Sequence, residues 1–394
     1  MTPIRTRMRA RDITEEHRAS TPLELLFDLT FVVAVGSLVA QLAHHVAEGE
    51  GAQTVGPFLM VFFAIWWAWN QFTWLASAYD NDDALYRVFT MVQMGGVLVL
   101  AAGVPAAFQE QDFLAITVGY LVMRLGLLAT LARAMQEDPE SRPNSRRYFI
   151  GIAVVQVGWL LRLFFIPVEY LVPAFLVLAA AELAVSPWAD RAARLAWHPH
   201  HIAERYGLFT IILLGESVLA VTVAVQESLV DGLSVPLILV AAAGLVLLFA
   251  LWWLYFSEPA AEGLVARRER SYIWGYGHYL IYASLAAIGA GLEVAVKSVS
   301  HRAHTSEVVA GYSLAIPLAV FVLMLWLLHA PIVERVAIPP VATVIAVVAI
   351  LVAPFTAAGI GTLGATALMT AITVALLVVA LGAVHSSRSS RLSS

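Results

Sequence analysis

The residue in this sequence best placed for chemistry is Glu216, a carboxylate with nine uncharged residues on either side, from Gly207 to Val225. At 1.5 Å per residue, it would lie about 13 Å from either end of a helix formed by this run. A carboxylate this far inside an apolar helix indicates either a proton or cation site or a structural ion pair. Arg124, near the middle of another apolar run, is its natural partner on grounds of depth.

A second pair of carboxylates lies in the first apolar run. Glu24 and Asp28 are four residues apart, so they share one face of a helix. Thr21-Pro22 is typical of a helix start, where an acid such as Glu24 is favoured in the first turn. Asp28 lies about 9 Å further in and is too deep to cap the helix. We therefore expect Asp28 to face a polar site.

The run that contains Glu216 begins with His201, Glu204 and Arg205. Eleven residues separate Arg205 from Glu216, close to three helical turns, so His201, Arg205 and Glu216 should share a face. His201 and Glu204 could ligate a metal, but no third ligand is evident, and we predict no metal site. Further polar residues in the inner halves of their runs predict a common cavity open toward the cytosol: Asn70, Gln71, Gln93, Glu182 and His278.

The acidic loop of Asp80, Asp82 and Asp83 offers a different chemistry. Acid clusters hold Mg²⁺ in membrane enzymes that act on diphosphates, and such enzymes commonly need two clusters. No second cluster is present, so a solvated loop is the simpler interpretation. Arg162 and Glu169 flank the outer boundary of their runs, where snorkelling explains them.

Twelve apolar runs must position these residues. The chain has 394 residues, of which 60% are hydrophobic and 13% charged, and its mean hydropathy is +0.80. About 20 apolar residues suffice to cross a bilayer as a helix, and the backbone groups of each run must bond within it. The sequence predicts an all-α polytopic membrane helix bundle with spans at 22–46, 55–79, 85–108, 111–135, 147–166, 168–187, 202–226, 233–256, 272–296, 307–330, 336–355 and 360–384.

The basic residues orient this bundle. Of 23 Lys and Arg residues, 19 fall on the side of the N-terminus, two on the opposite side and two within spans. Because cytoplasmic loops carry the Lys/Arg excess, both termini are predicted to be cytosolic. We expect a polar N-terminus (1–21), a transmembrane domain (22–385) and a polar tail (386–394). Recurrence of Trp66-Trp67 as Trp252-Trp253 fits a 6+6 parallel repeat, although belt tryptophans would also explain it.

Two passages resemble the bacterial low temperature requirement protein A (LtrA) family. Leu23-Glu-Leu-Leu-Phe-Asp-Leu-Thr-Phe-Val is similar to its first helix, and the passage from His201 to Val218 looks like its HxxERxGLFxIIxLGESV signature. The resemblance implies a multi-pass membrane domain over essentially the whole chain. Carried over by position, it singles out Glu24, Phe27, Asp28, His201, Glu204, Arg205, Gly207, Gly215 and Glu216. Leu26 and Tyr206 depart from the residues usual in the family. The resemblance implies no established biochemical activity.

These observations favour a transporter or permease-like protein of the bacterial cytoplasmic membrane. Its intramembrane site would use Asp28, Arg124, Arg205 and Glu216, and its partners would be the lipid bilayer and a small molecule or ion. We expect no catalytic residues, no cofactor and no nucleic-acid binding. The alternatives are a metal-dependent membrane enzyme built on the acidic loop, and a stress-related scaffold or sensor whose buried charges fix helix register.

Overall fold

The computed structural model describes residues 3–11, 19–79, 81–193, 195–258, 260–333 and 336–392. All regular elements within these ranges are helical. They are α1 (Pro22–Ala47), α2 (Gly51–Ala78), α3 (Ala84–Gln109), α4 (Leu114–Glu137), α5 (Arg142–Phe165), α6 (Leu171–Asp190), α7 (Pro199–Ser228), α8 (Val235–Phe256), α9 (Ala260–Ala266), α10 (Ser271–Val299), α11 (Glu307–His329), α12 (Pro340–Val352) and α13 (Ala357–Leu392).

The described residues contain eleven helical stretches long and apolar enough to cross a membrane. The chain is therefore a polytopic helical membrane protein, as predicted. The difference from twelve spans lies at the C-terminal end, where Pro340–Ala383 forms one helical stretch of 44 residues. This stretch takes in both of the last predicted spans. It contains α12, a short 3-10 segment and a non-helical backbone position at Gly361, where φ is +70°.

The chain forms two compact units. The first comprises residues 1–38 and 56–205, and its helices α3 to α6 pack in sequence order. The contact of α3 with α4 depends on glycine. A Cβ atom at Gly96 would lie 2.6 Å from the backbone oxygen of Gly119, and one at Gly126 would lie 2.6 Å from the oxygen of Phe89. Small residues let the two helix backbones approach closely in the absence of a hydrophobic driving force.

The second unit comprises residues 39–55 and 206–394. Its central helix is α10, which packs against α8, α11 and α13. Small residues again set the distances, because a Cβ atom at Gly291 would lie 2.6 Å from the backbone oxygen of Ser313 on α11. Helix α13 turns buried threonines inward, and the Thr370 hydroxyl donates to the Ala243 carbonyl of α8. Hydroxyl-to-carbonyl bonds of this kind join helices in the membrane.

Candidate functional site

Glu24 has two functions in the structure. Its backbone N–H donates to the Thr21 hydroxyl at 3.2 Å, and its Oε2 accepts from the Thr21 backbone N–H at 2.7 Å. This reciprocal pair is a capping box, and it starts α1 as the sequence predicts. The other carboxylate oxygen, Oε1, lies 3.6 Å from Nη1 of Arg205 and 3.3 Å from Nε2 of His201. The helix cap therefore also holds a carboxylate against two residues of α7.

Asp28, one turn further along α1, forms the closest contact of this group. Its Oδ1 accepts from Nη2 of Arg205 at 2.6 Å and from the indole Nε1 of Trp69 on α2 at 2.8 Å. Both side chains are buried, and Nη2 of Arg205 also reaches the Thr73 hydroxyl at 3.4 Å. Asp28 Oδ2 is buried and has no hydrogen-bond partner within the described residues. One carboxylate oxygen thus accepts two hydrogen bonds, while the other accepts none within the described residues.

We call Glu24, Asp28, His201 and Arg205 the α1–α7 cluster. His201 and Arg205 are four apart on the first turns of α7, just as Glu24 and Asp28 are on α1, so the two pairs face each other in register. The structure brings together these four residues that the sequence predicted as site residues. Glu204 lies outside the cluster, because its side chain is exposed and accepts from the Ser20 backbone N–H at 3.1 Å.

Arg124 belongs to a second polar group, centred on Glu182 of α6. Glu182 is fully buried and accepts from the indoles of Trp67 at 2.9 Å and Trp159 at 3.2 Å, and from the Tyr120 hydroxyl at 3.0 Å. Nη2 of Arg124 lies 3.6 Å from Glu182 Oε2. The guanidinium also donates to Tyr120 and Gln71 and lies over the Tyr120 ring. A buried ion pair with this many hydrogen bonds meets the conditions under which such pairs persist.

The predicted ion pair of Arg124 with Glu216 is therefore wrong, because the carboxylate facing Arg124 is Glu182. Glu216 lies in the second unit, is 6% exposed and has no ion-pair or hydrogen-bond partner within the described residues. Depth along the membrane normal was the basis of the predicted pairing, and depth does not indicate which helices are neighbours. Within the first unit, Asp28 and Arg124 belong to different polar groups, Asp28 with Arg205 and Arg124 with Glu182.

The acidic loop is held by arginines. Asp83 caps α3 by accepting from the Tyr86 backbone N–H at 2.9 Å, and it also binds Nη1 of Arg133 at 2.8 Å. Burial raises the pKa of Asp83, but the bonds from Arg133 and the backbone outweigh it, and the pKa lies below its usual value. Asp82 forms a two-point pair with Arg87 at 2.7 Å. Asp80 lies outside the described residues.

The carboxylates of Asp82 and Asp83 are thus committed to arginine. Within the ranges that the structure describes, no group of three or more His, Asp or Glu side chains could hold a metal ion. Asp82 and Asp83 therefore fix the start of α3 through their pairs with Arg87 and Arg133.

Sequence reasoning missed the role of the aromatic side chains. Trp67, Trp69 and Trp159 donate their indole N–H groups to intramembrane carboxylates. A buried tryptophan usually pairs its indole N–H with an acceptor, and this was the available signal. The predicted snorkelling of Arg162 is wrong. Its side chain does not extend outward, because only 4% of the residue is exposed and its guanidinium lies among aromatic rings.

Comparison with known proteins decides the family. The sequence pattern of the bacterial low temperature requirement A protein (LtrA) matches residues 19–381. The chain belongs to the LtrA family. An uncharacterized protein of Rhizobium meliloti (strain 1021) is 26% identical to this LtrA chain over 297 residues, covering 71% of the chain and 70% of the relative. No solved structure matches this LtrA chain.

The α1–α7 cluster lies in the two passages that resemble the family. The two passages that resemble the family are the start of α1 and the first half of α7. The structure shows that their charged residues at 24, 28, 201 and 205 are mutual contacts. The two passages therefore meet at these four residues, all of which lie in the first unit.

Proposed function

We propose that this LtrA protein is a proton-coupled membrane transporter and that the α1–α7 cluster is its proton- or cation-binding site. The observation that carries the proposal is the charge composition of the cluster. Two carboxylates, Glu24 and Asp28, share one permanent cation, Arg205, while His201 is the only other titratable member. With His201 neutral, the cluster carries one excess negative charge in a buried setting.

Such an excess charge is costly away from water and favours the uptake of one proton or one monovalent cation. Asp28 Oδ2, buried and without a hydrogen-bond partner within the described residues, is the atom where the proton would bind. Trp69 and Thr73 on α2 bind the same two atoms, Asp28 Oδ1 and Arg205 Nη2, without adding charge. Proton binding would weaken the 2.6 Å contact of Asp28 with Arg205 and release α7 from α1.

Glu216 supports the same class of function as a separate group. An acid in the middle of an apolar helix, with no counter-charge within the described part of the chain, is typical of residues on ion pathways. The substrate would be a small molecule or ion, and the bilayer in question the bacterial cytoplasmic membrane with both termini in the cytosol.

Proteoliposomes loaded with a pH-sensitive dye test this proposal. We expect an imposed membrane potential, with candidate small molecules outside, to drive a proton flux that depends on the protein. The isosteric Asp28→Asn variant should reduce the flux at least tenfold while its melting temperature stays within a few degrees of the parent. Glu204→Gln is the matched control, because Glu204 is an exposed acid on the same helix as Arg205. An unchanged flux in Asp28→Asn, or no flux in the parent chain, would contradict the proposal.

A further inference from the structure

A second site lies in the first unit, in a small cavity between α2, α4, α5 and α6. Its volume is about 30 Å³. Five of its eleven lining residues are aromatic, and one charged side chain reaches it, Arg162 of α5. The lining residues used below are Ala64, Phe113, Tyr120, Trp159, Arg162 and Phe175.

Arg162 is buried without a balancing acid. Only 4% of Arg162 is exposed. No carboxylate lies within ion-pair distance of it in the described part of the chain. Nε donates to the Leu171 carbonyl at 3.3 Å, while Nη2 is buried with no hydrogen-bond partner there. The carbonyl end of α5, where Arg162 occupies the last turn, offsets part of the positive charge. The Nη2 donors remain unused.

Two other polar groups at this cavity are already engaged, and the remaining one is the neutral hydroxyl of Thr117. The Tyr120 hydroxyl and the Trp159 indole both donate to Glu182, and that carboxylate faces Arg124. The Arg162 guanidinium lies 5.2 Å from the Phe113 ring centroid and 5.9 Å from those of Trp159 and Phe175. Ring faces stabilise a cation weakly and do not satisfy its N–H groups. The missing contact is therefore a hydrogen-bond acceptor with negative charge.

We propose that this cavity binds one small monovalent anion, a halide or a short carboxylate, against the Arg162 guanidinium, which would turn an unused N–H group toward it. An arginine presents paired N–H donors that match such an acceptor, and the hydrogen bond is strong because it is charge-assisted. Since one water needs roughly 10–15 Å³, the volume matches two or three non-hydrogen atoms, which favours a halide or formate over a phosphate group. This anion site is independent of the α1–α7 cluster and of proton transport.

Isothermal titration of the purified chain in detergent, in chloride-free gluconate buffer, tests the site directly. Sodium bromide and sodium formate are the probes, and sodium gluconate at equal ionic strength is the control for screening. We expect saturable one-to-one binding of bromide or formate and a higher melting temperature in either. Gluconate, too large for the cavity, should do neither.

Three variants locate the binding. Arg162→Gln should weaken binding at least tenfold and abolish the rise in melting temperature. Arg146→Gln, an exposed arginine on the same helix, should leave both unchanged. Ala64→Leu keeps Arg162 and fills the cavity with three carbon atoms, so it should also lose binding and provides the test if Arg162→Gln does not fold.

A buried water alone would leave the parent chain without binding heat or anion-dependent melting, and that result would overturn the proposal. Equal bromide binding in the parent chain and in Ala64→Leu would overturn it as well, because the anion would then lie elsewhere. Crystals soaked in bromide should show an anomalous peak beside Arg162 and none in Arg162→Gln.

Discussion

The buried pair of Arg124 and Glu182 allows a quantitative test of how charge is held inside this protein. The perturbation is a double-mutant cycle of Arg124→Met, Glu182→Gln and both together. At 3.6 Å and an effective dielectric constant of about 20, the two charges attract each other by about 5 kcal/mol. Both side chains are at most 1% exposed, so solvent screens this attraction little.

Each single substitution leaves one charge buried without its partner and should lower the free energy of unfolding by about 3–5 kcal/mol. The double variant removes both charges and keeps an oxygen acceptor for the Tyr120 and Trp159 donors. We expect the double variant to lose about 2–3 kcal/mol less unfolding free energy than the two single losses added together, and this difference is the coupling energy.

Unfolding by sodium dodecyl sulfate in mixed micelles, followed by circular dichroism, measures these free energies. The matched control is the cycle of Arg87→Met and Asp82→Asn, a two-point pair that is exposed at the surface. It should show no measurable coupling, because water and salt screen it. A coupling for Arg124 and Glu182 as small as in this control would refute the reasoning, since the two groups would then not both be charged.

Two further predictions concern stability. Because the folded-state pKa of Asp83 is below its unfolded value, the stabilisation from its charge is complete at neutral pH and is lost as the pH falls through the folded pKa. Asp83→Asn should therefore be less stable than the parent by about 2 kcal/mol at pH 7, and the difference should shrink as the pH falls below about 4. A difference that does not change with pH would contradict this. Gly119→Ala should cost about 1–3 kcal/mol, because its Cβ would lie 2.5 Å from the Gly96 carbonyl oxygen. Gly215→Ala, with no atom within 4 Å of its Cβ, should be neutral or stabilising by up to about 1 kcal/mol, and thermal melts of the two variants separate these cases.

The helices could be predicted from the sequence because each apolar run must satisfy its own backbone in lipid. The α1–α7 contact was only half predictable. Helical spacing placed Glu24 with Asp28 and His201 with Arg205, but it did not indicate that the two pairs face each other. At the C-terminal end, Pro340–Ala383 counts as one apolar stretch, although a 3-10 segment and the non-helical Gly361 interrupt it near the junction of the two predicted spans.

The partner of Arg124 could not be found from depth. Pairing depends on which helices are neighbours and how each is rotated, and α4 meets Glu182 of α6 across α2 and α5 side chains. The burial of Arg162 depends in the same way on the rings of neighbouring helices, which a boundary position does not reveal.

The indole N–H groups that donate to the buried carboxylates could serve as built-in spectroscopic probes of the charge on those acids. Trp69 donates to Asp28, whereas Trp67 and Trp159 donate to Glu182. A change of charge on either acid alters the strength of these bonds, so it should appear in the vibrational spectrum of the ring that donates. Isotope labelling of one tryptophan at a time would thus give each acid its own optical signal without any attached dye.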